Sequence, residues 1–121
     1  MQGLHLTADL SGCAEALPLM RDPQALRDVC LLAVAAAQLS AVAELFHRFP
    51  APGGVTGVVL LAESHLAVHT WPELGAVTLD VYVCNLGRDN SPAAQALIDA
   101  LVLAFEPERV EQHRVHRGKG G

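Results

Sequence analysis

"AVTLDVYVC", Ala76 to Cys84, alternates without a break: Val77, Leu79, Val81 and Val83 oppose Thr78, Asp80, Tyr82 and Cys84. A period of two is the pattern of a strand with one face on a core and the other open. The chain supplies two segments to cover the apolar face. Asp22-Pro23 offers an N-cap and a first-turn proline, and "QALRDVCLLAVAAAQL" follows as a helix. Ser91-Pro92 repeats the device ahead of "AAQALIDALVLAF". Around these lie further strands. "GLHLTADL" puts Leu4, Leu6, Ala8 and Leu10 on one face, and "AVAELFHRF" ends at the breaker-rich turn "PAPGG". "VTGVVLLA", "HLAVHTW" and finally "RVEQHRVH", before the charged, glycine-ended tail "RGKGG", complete the set. Strand, helix, strand, strand, strand, strand, helix, strand predicts an α+β fold, a two-layer α/β sandwich with two helices on one mainly antiparallel sheet.

At 121 residues the chain makes one domain with a real core and is too short for two. An apolar share of 51% and a mean hydropathy of +0.31 rule against disorder. The net charge of -5, with eight Lys and Arg and no basic run, argues against nucleic acid as a partner. The three cysteines, Cys13, Cys30 and Cys84, form no CxxC pair, and Met1 opens directly into "QGLHLTADL" with no signal peptide. Those features point to a reducing cytoplasm and not to a disulfide framework. The most apolar run, "VCLLAVAAAQL", is about half of what a membrane span needs.

One stretch sits badly in a strand. "LLAESHLAVHTWPE", Leu60 to Glu73, carries Glu63, Ser64, His65 and His69 among its leucines and valines. Burying such groups unpaired costs a few kcal/mol each. A Glu-Ser bond in an apolar segment has one special chemistry. The serine hydroxyl can attack the carbonyl before it, turning amide into ester, given strain and a proton shuttle. Loss of the serine α-proton then expels the ester by β-elimination, and hydrolysis of the dehydroalanine leaves a pyruvoyl group at a new N-terminus. Such a carbonyl condenses with an amine and takes up the electrons released as carbon dioxide departs, as pyridoxal phosphate does.

"ESHLAVHTWPE", followed shortly by "LDVYVC", resembles the short prokaryotic form of S-adenosylmethionine decarboxylase, a pyruvoyl-dependent family of polyamine synthesis. "HLTADLSGC", "FHRFPAPGGVTGVV" and "RVEQHRVHRG" fall where that family has similar segments, so the resemblance covers nearly the whole chain. It implies cleavage of the single domain, 1–121, between Glu63 and Ser64 into a β chain, 1–63, and an α chain, 64–121. Ser64 would be the source of the pyruvoyl group, the covalent cofactor, and Glu63 would end the β chain. His69 would assist elimination. Thr56 stands where the family usually has a serine that polarises the scissile carbonyl. Cys84 would return a proton to the substrate's α-carbon, Glu73 would bind ribose hydroxyls and Phe49 would stack on adenine. The implied activity is decarboxylation of S-adenosylmethionine to the aminopropyl donor for spermidine, by a homodimer of processed protomers with shared sites.

Other readings stand beside these. Some branches of the family decarboxylate arginine or ornithine, and a non-cleaving regulatory homologue would keep the fold without the activity. Leu74 replaces a frequent aromatic and Asn85 a glycine, both beside the site. His65 and His69 would pair on a metal only from a helix; in a strand with no third ligand, no metal is expected. Without the resemblance, Cys84 reads as core filler, as Cys13 and Cys30 do. His65 reads as a structural histidine, Phe46 as core, and Phe49 as either core or adenine contact. Ser64 and His69 are five apart, so on one flat strand they face opposite sides, and the cleavage chemistry requires a turn, bulge or break near the scissile bond.

Overall fold

A computed structural model describes residues 1–119; Gly120 and Gly121, the end of the tail, lie outside the described residues. The elements are β1 (Gln2–Ser11), α1 (Pro23–Ala36), β2 (Ala41–Arg48), β3 (Val55–Leu61), β4 (Ser64–Trp71), β5 (Ala76–Cys84), α2 (Ser91–Phe105) and β6 (Arg109–Gly118). Short 3-10 turns occur at Pro18–Met20 and Pro72–Leu74. The six strands form one sheet in the order β2-β3-β4-β5-β1-β6, and every neighbouring pair is antiparallel. This is the α+β architecture that the order of elements predicts, with the sheet antiparallel throughout.

Period-two alternation decides which face is which. Leu4, Leu6, Ala8 and Leu10 of β1 are buried together with Leu66 and Val68 of β4 and Val77, Leu79, Val81 and Val83 of β5. Over them lie Leu26, Cys30 and Val34 of α1, four apart, and Leu97, Ile98, Leu101 and Phe105 of α2, which fall on one side of the helix as a core-facing stripe requires. Each such large side chain removed from water contributes about 1.5–3 kcal/mol, an upper figure, so this layer holds the fold together. The opposite face carries His5, Thr56, His65, His69, Thr78, Asp80, Tyr82 and Cys84, each half-buried. No helix covers it.

The helix ends differ from the sequence pattern in two places. The periodicity carries α1 to Leu39, yet the helix stops at Ala36 because Gln38 turns left-handed with φ 61. The Leu39 amide bonds back to the Val34 carbonyl at 3.1 Å and the Gln38 amide to Ala35 at 3.0 Å, which closes the helix with a glutamine where glycine is usual. At α2 the cap is Asn90, and Ser91 is already helical. Strand β6 runs two residues beyond the expected His116, is exposed along its length, and borders the sheet with charged side chains that discourage further pairing.

Thr70 is a buried polar residue in the core layer, and it is satisfied. Its Oγ1 accepts from the Val55 amide at 2.9 Å and donates to the Met20 carbonyl at 2.8 Å, tying β4 to the Pro18–Met20 turn. Among the described residues no buried side-chain nitrogen or oxygen lacks a partner. No helix among them is long and apolar enough to cross a membrane.

Candidate active site

The β3–β4 connection is as short as a hairpin allows. Leu61 is registered against Ser64, so Ala62 and Glu63 alone make the turn. Glu63 adopts a left-handed φ of 56, a conformation that costs a residue with a side chain roughly 1–2 kcal/mol. The Glu63–Ser64 bond follows immediately, and Ser64 opens β4. A tight turn thus lies immediately before Ser64 and places backbone strain there. Ser64 and His69 nevertheless remain on one unbroken strand, so the turn does not bring them to the same side.

Ser64 is held. Its Oγ accepts a hydrogen bond of 3.2 Å from the backbone amide of Cys84, the last residue of β5. Cys84 is a half-buried free thiol. Glu63 and Ser64 open into a cavity of about 560 Å³ that is also lined by His5, His65 and Tyr82. His5 Nε2 lies 3.2 Å from Asp80 Oδ1, and the His65 ring stacks on Tyr82 at a centroid distance of 5.8 Å and an angle of 26°. His5, Asp80 and Tyr82 were not singled out from the sequence. Their signal was the alternation itself, which sends the polar residues of β1 and β5 to the uncovered face that Cys84 shares.

A second group assembles at the far end of β4. His69 lies five residues from Ser64, roughly 16 Å along a strand. It also belongs to the open face, whereas Ser64 shares the alternation of Leu66, Val68 and Thr70. Thr56 is registered opposite His69, and Thr56 Oγ1 sits 3.0 Å from His69 Nδ1. Phe49, Thr56, His69, Trp71 and Glu73 line a hollow of about 160 Å³. Phe49 is 49% exposed, so of its two readings it is not core. The seven residues named from the sequence thus fall into two clusters, Glu63–Ser64–Cys84 and Phe49–Thr56–His69–Glu73. Within one chain His69 is not brought to Ser64.

A larger cavity of about 790 Å³ lies by the loop before α2, bordered by Gln2, Asn85, Arg88 and Arg117. Its lining includes Asp89 and His116 but no hydroxyl or thiol side chain, and its left-handed residues are glycines, so the chemistry points to the Ser64 cavity. The other two thiols are of a different kind from Cys84. Burial pushes Cys30 up to about 12 and raises Cys13 as well. Before α2, hydrogen bonds from Ser91 hold the Asp89 carboxyl below its usual range. Among the described residues no three His, Cys, Asp or Glu side chains gather as a metal site.

Two helices on one side of an open antiparallel sheet, with the polar residues collected on the other, make this a small two-layer α+β protein. The profile of the S-adenosylmethionine decarboxylase family matches residues 4–118, and the chain belongs to that family. It is 40% identical over 117 residues to the S-adenosylmethionine decarboxylase proenzyme of Aquifex aeolicus, covering 96% of this chain and 81% of the relative. The proenzyme of Archaeoglobus fulgidus is 36% identical over 116 residues, covering 96% of this chain and 97% of the relative. The crystal structure of the Aquifex aeolicus adenosylmethionine decarboxylase superposes with a TM-score of 0.87, at 34% identity over the superposed residues, covering 98% of this chain and 92% of that one. A Trypanosoma brucei AdoMetDC monomer shares the fold at a TM-score of 0.60 and 14% identity, covering 90% of this chain and 44% of that longer one.

Proposed function

We propose that this chain is the self-cleaving precursor of a pyruvoyl-dependent decarboxylase of S-adenosylmethionine, whose product is the aminopropyl donor for spermidine synthesis. The observation that carries the reading is the left-handed Glu63 immediately before a serine whose hydroxyl is held by a neighbouring strand. A bond set in a strained turn and a nucleophile fixed beside it fit a group made from Ser64 itself.

Cleavage uses the chain's own atoms. Ser64 Oγ adds to the Glu63 carbonyl carbon, the C–N bond breaks, and the hydroxyl proton passes to the freed amine, leaving an ester. A base, for which His69 is suited, removes the Ser64 α-proton; the Cβ–Oγ bond breaks and Glu63 leaves as a carboxylate. The dehydroalanine takes up water and releases ammonia. The products are 1–63 and 64–121, the latter beginning with the pyruvoyl group. That group supplies an electrophilic carbonyl and an electron sink for decarboxylation. Cys84 Sγ holds the proton returned to the α-carbon, the Glu73 carboxylate accepts from ribose hydroxyls, and the exposed Phe49 ring stacks on adenine.

The working unit is a homodimer. A hollow of about 160 Å³ beside Glu73 is below the roughly 300 Å³ at which ligand sites begin, and the strand separates His69 from Ser64. A twofold pairing of open faces lets one copy supply Glu63, Ser64 and Cys84 while the other supplies Phe49, Thr56, His69 and Glu73, and it covers the polar face.

Intact-mass measurement tests this. Two chains of 63 and 58 residues (121 minus 63) are expected, the second with a keto-acyl terminus that forms a reducible adduct with S-adenosylmethionine. Carbon dioxide should come from that substrate and not from arginine or ornithine. A single species of 12.8 kDa after prolonged incubation overturns the reading.

A further inference from the structure

Asn90 occupies the N-cap of α2 and does not cap it. Its side-chain Nδ2 donates instead to the Cys84 carbonyl oxygen at 2.9 Å. Acceptance from the start of the helix falls to Asp89, whose Oδ1 takes the Ser91 amide at 3.0 Å. Asparagine is among the best N-caps, worth about 1 kcal/mol. A residue of the right type, at the right position, turned away from its local task is an inconsistency of the kind that marks function.

The surrounding loop keeps it turned. Asn85 Oδ1 accepts the Asn90 backbone N–H at 2.8 Å, while Asn85 Nδ2 donates to Ser91 Oγ at 3.1 Å. The Asn85 amide is itself bonded to the Gln2 carbonyl at 2.8 Å. The orientation of both carboxamides follows from their partners, since a carbonyl only accepts and a backbone N–H only donates. On the other side of the same residue the Cys84 backbone N–H donates to Ser64 Oγ at 3.2 Å. A continuous chain of hydrogen bonds therefore runs from the first turn of α2 through Asn90 and the Cys84 backbone to the Ser64 hydroxyl.

We infer that Asn90, braced by Asn85, is a positioning residue: its bond to the Cys84 carbonyl fixes the Cys84 backbone, which carries the thiol and donates to Ser64 Oγ. The inference rests on Ser64 and Cys84 being the reacting groups proposed above. One hydrogen bond of this type adds only about 1 kcal/mol to stability, whereas misplacing a reacting group by about 1 Å costs on the order of 10²-fold in rate. The effect belongs in the rates.

Asn90→Ser separates the two roles, because serine caps a helix well and is too short to reach the Cys84 carbonyl. The measurements are the thermal midpoint, the rate of chain cleavage, and kcat and KM for S-adenosylmethionine in fully cleaved protein. The serine variant should melt at or above the parent, cleave about tenfold more slowly or worse, and show kcat lowered roughly 10- to 100-fold with KM unchanged. Asn90→Gln, which keeps the donor, should recover part of both rates. Parental rates in Asn90→Ser overturn the inference, as does a loss of rate that only tracks a loss of stability, or a glutamine variant no better than serine. The parent is assayed alongside. If it neither cleaves nor releases carbon dioxide, the proposed activity fails and the role of Asn90 fails with it; if it does both and the serine variant keeps pace, only the role of Asn90 is lost.

Discussion

Thr56 Oγ1 and His69 Nδ1 lie 3.0 Å apart, on residues registered directly opposite each other across β3 and β4. The bond fixes the imidazole through Nδ1 and leaves Nε2 outside it, the nitrogen that the proposed elimination would use. Serine could make the same bond, and alanine could not. Thr56→Ala should therefore slow cleavage by roughly 10²-fold, at the low end of general acid–base contributions, while Thr56→Ser cleaves at least as fast as the parent. A time course on denaturing gels, following the bands of 63 and 58 residues from the 121-residue chain, reads both variants.

The bond that holds Ser64 Oγ comes from the backbone of Cys84 and not from its thiol. Cys84→Ala keeps that donor. Cleavage should persist within a few-fold of the parental rate, whereas turnover on S-adenosylmethionine should fall by roughly 10²- to 10⁴-fold, the range for a lost proton donor. A variant that loses both equally would show that the thiol acts in processing as well.

The three thiols should separate by reactivity. Cys84 is half-buried, whereas Cys13 and Cys30 are buried, with Cys30 pushed up to about 12. Iodoacetamide at pH 8 followed by peptide mapping should label Cys84 first and leave Cys30 unmodified until the fold is lost. Early labelling of Cys30 would contradict its place on the buried side of α1.

Asp89 takes over the cap that Asn90 gives up, and its carboxyl is held below the ordinary 3.8 by the bonds from Ser91. A depressed folded-state value means that the stabilising share is complete above 3.8 and is lost as pH falls through the lower folded value. Asp89→Asn should be less stable than the parent at pH 7, and the gap should close in strong acid. Thermal melts across that range check the sign; a gap that widens on acidification would reverse it.

Much of the fold was legible because β1 and β5 alternate with almost no exceptions, so strand identity and the buried face follow from residue type alone. What escaped was conformational. No residue type announces that Gln38 will turn left-handed, since glycine is the usual signal, and Ser91-Pro92 reads as the cap because the diversion of Asn90 depends on a carbonyl six residues earlier. The candidate site was legible as a set of residues and only in part as an arrangement. The spacing of Ser64 and His69 already set them on opposite sides of a strand, as found; what the spacing did not show is that Phe49, Thr56 and Glu73 gather around His69.

The interleaved sheet also decides what a cut after Glu63 can do to the molecule. The first fragment would own β1, β2, β3 and α1, and the second β4, β5, α2 and β6, yet β1 is threaded between β5 and β6. The fragments would be clasped like the fingers of two hands, with no seam along which to part. Severing the loop would then cost the particle little while folded. Melting it, however, would yield two bodies from one, so the nicked form should grow more heat-resistant as it is concentrated, unlike its uncut parent taken protomer by protomer.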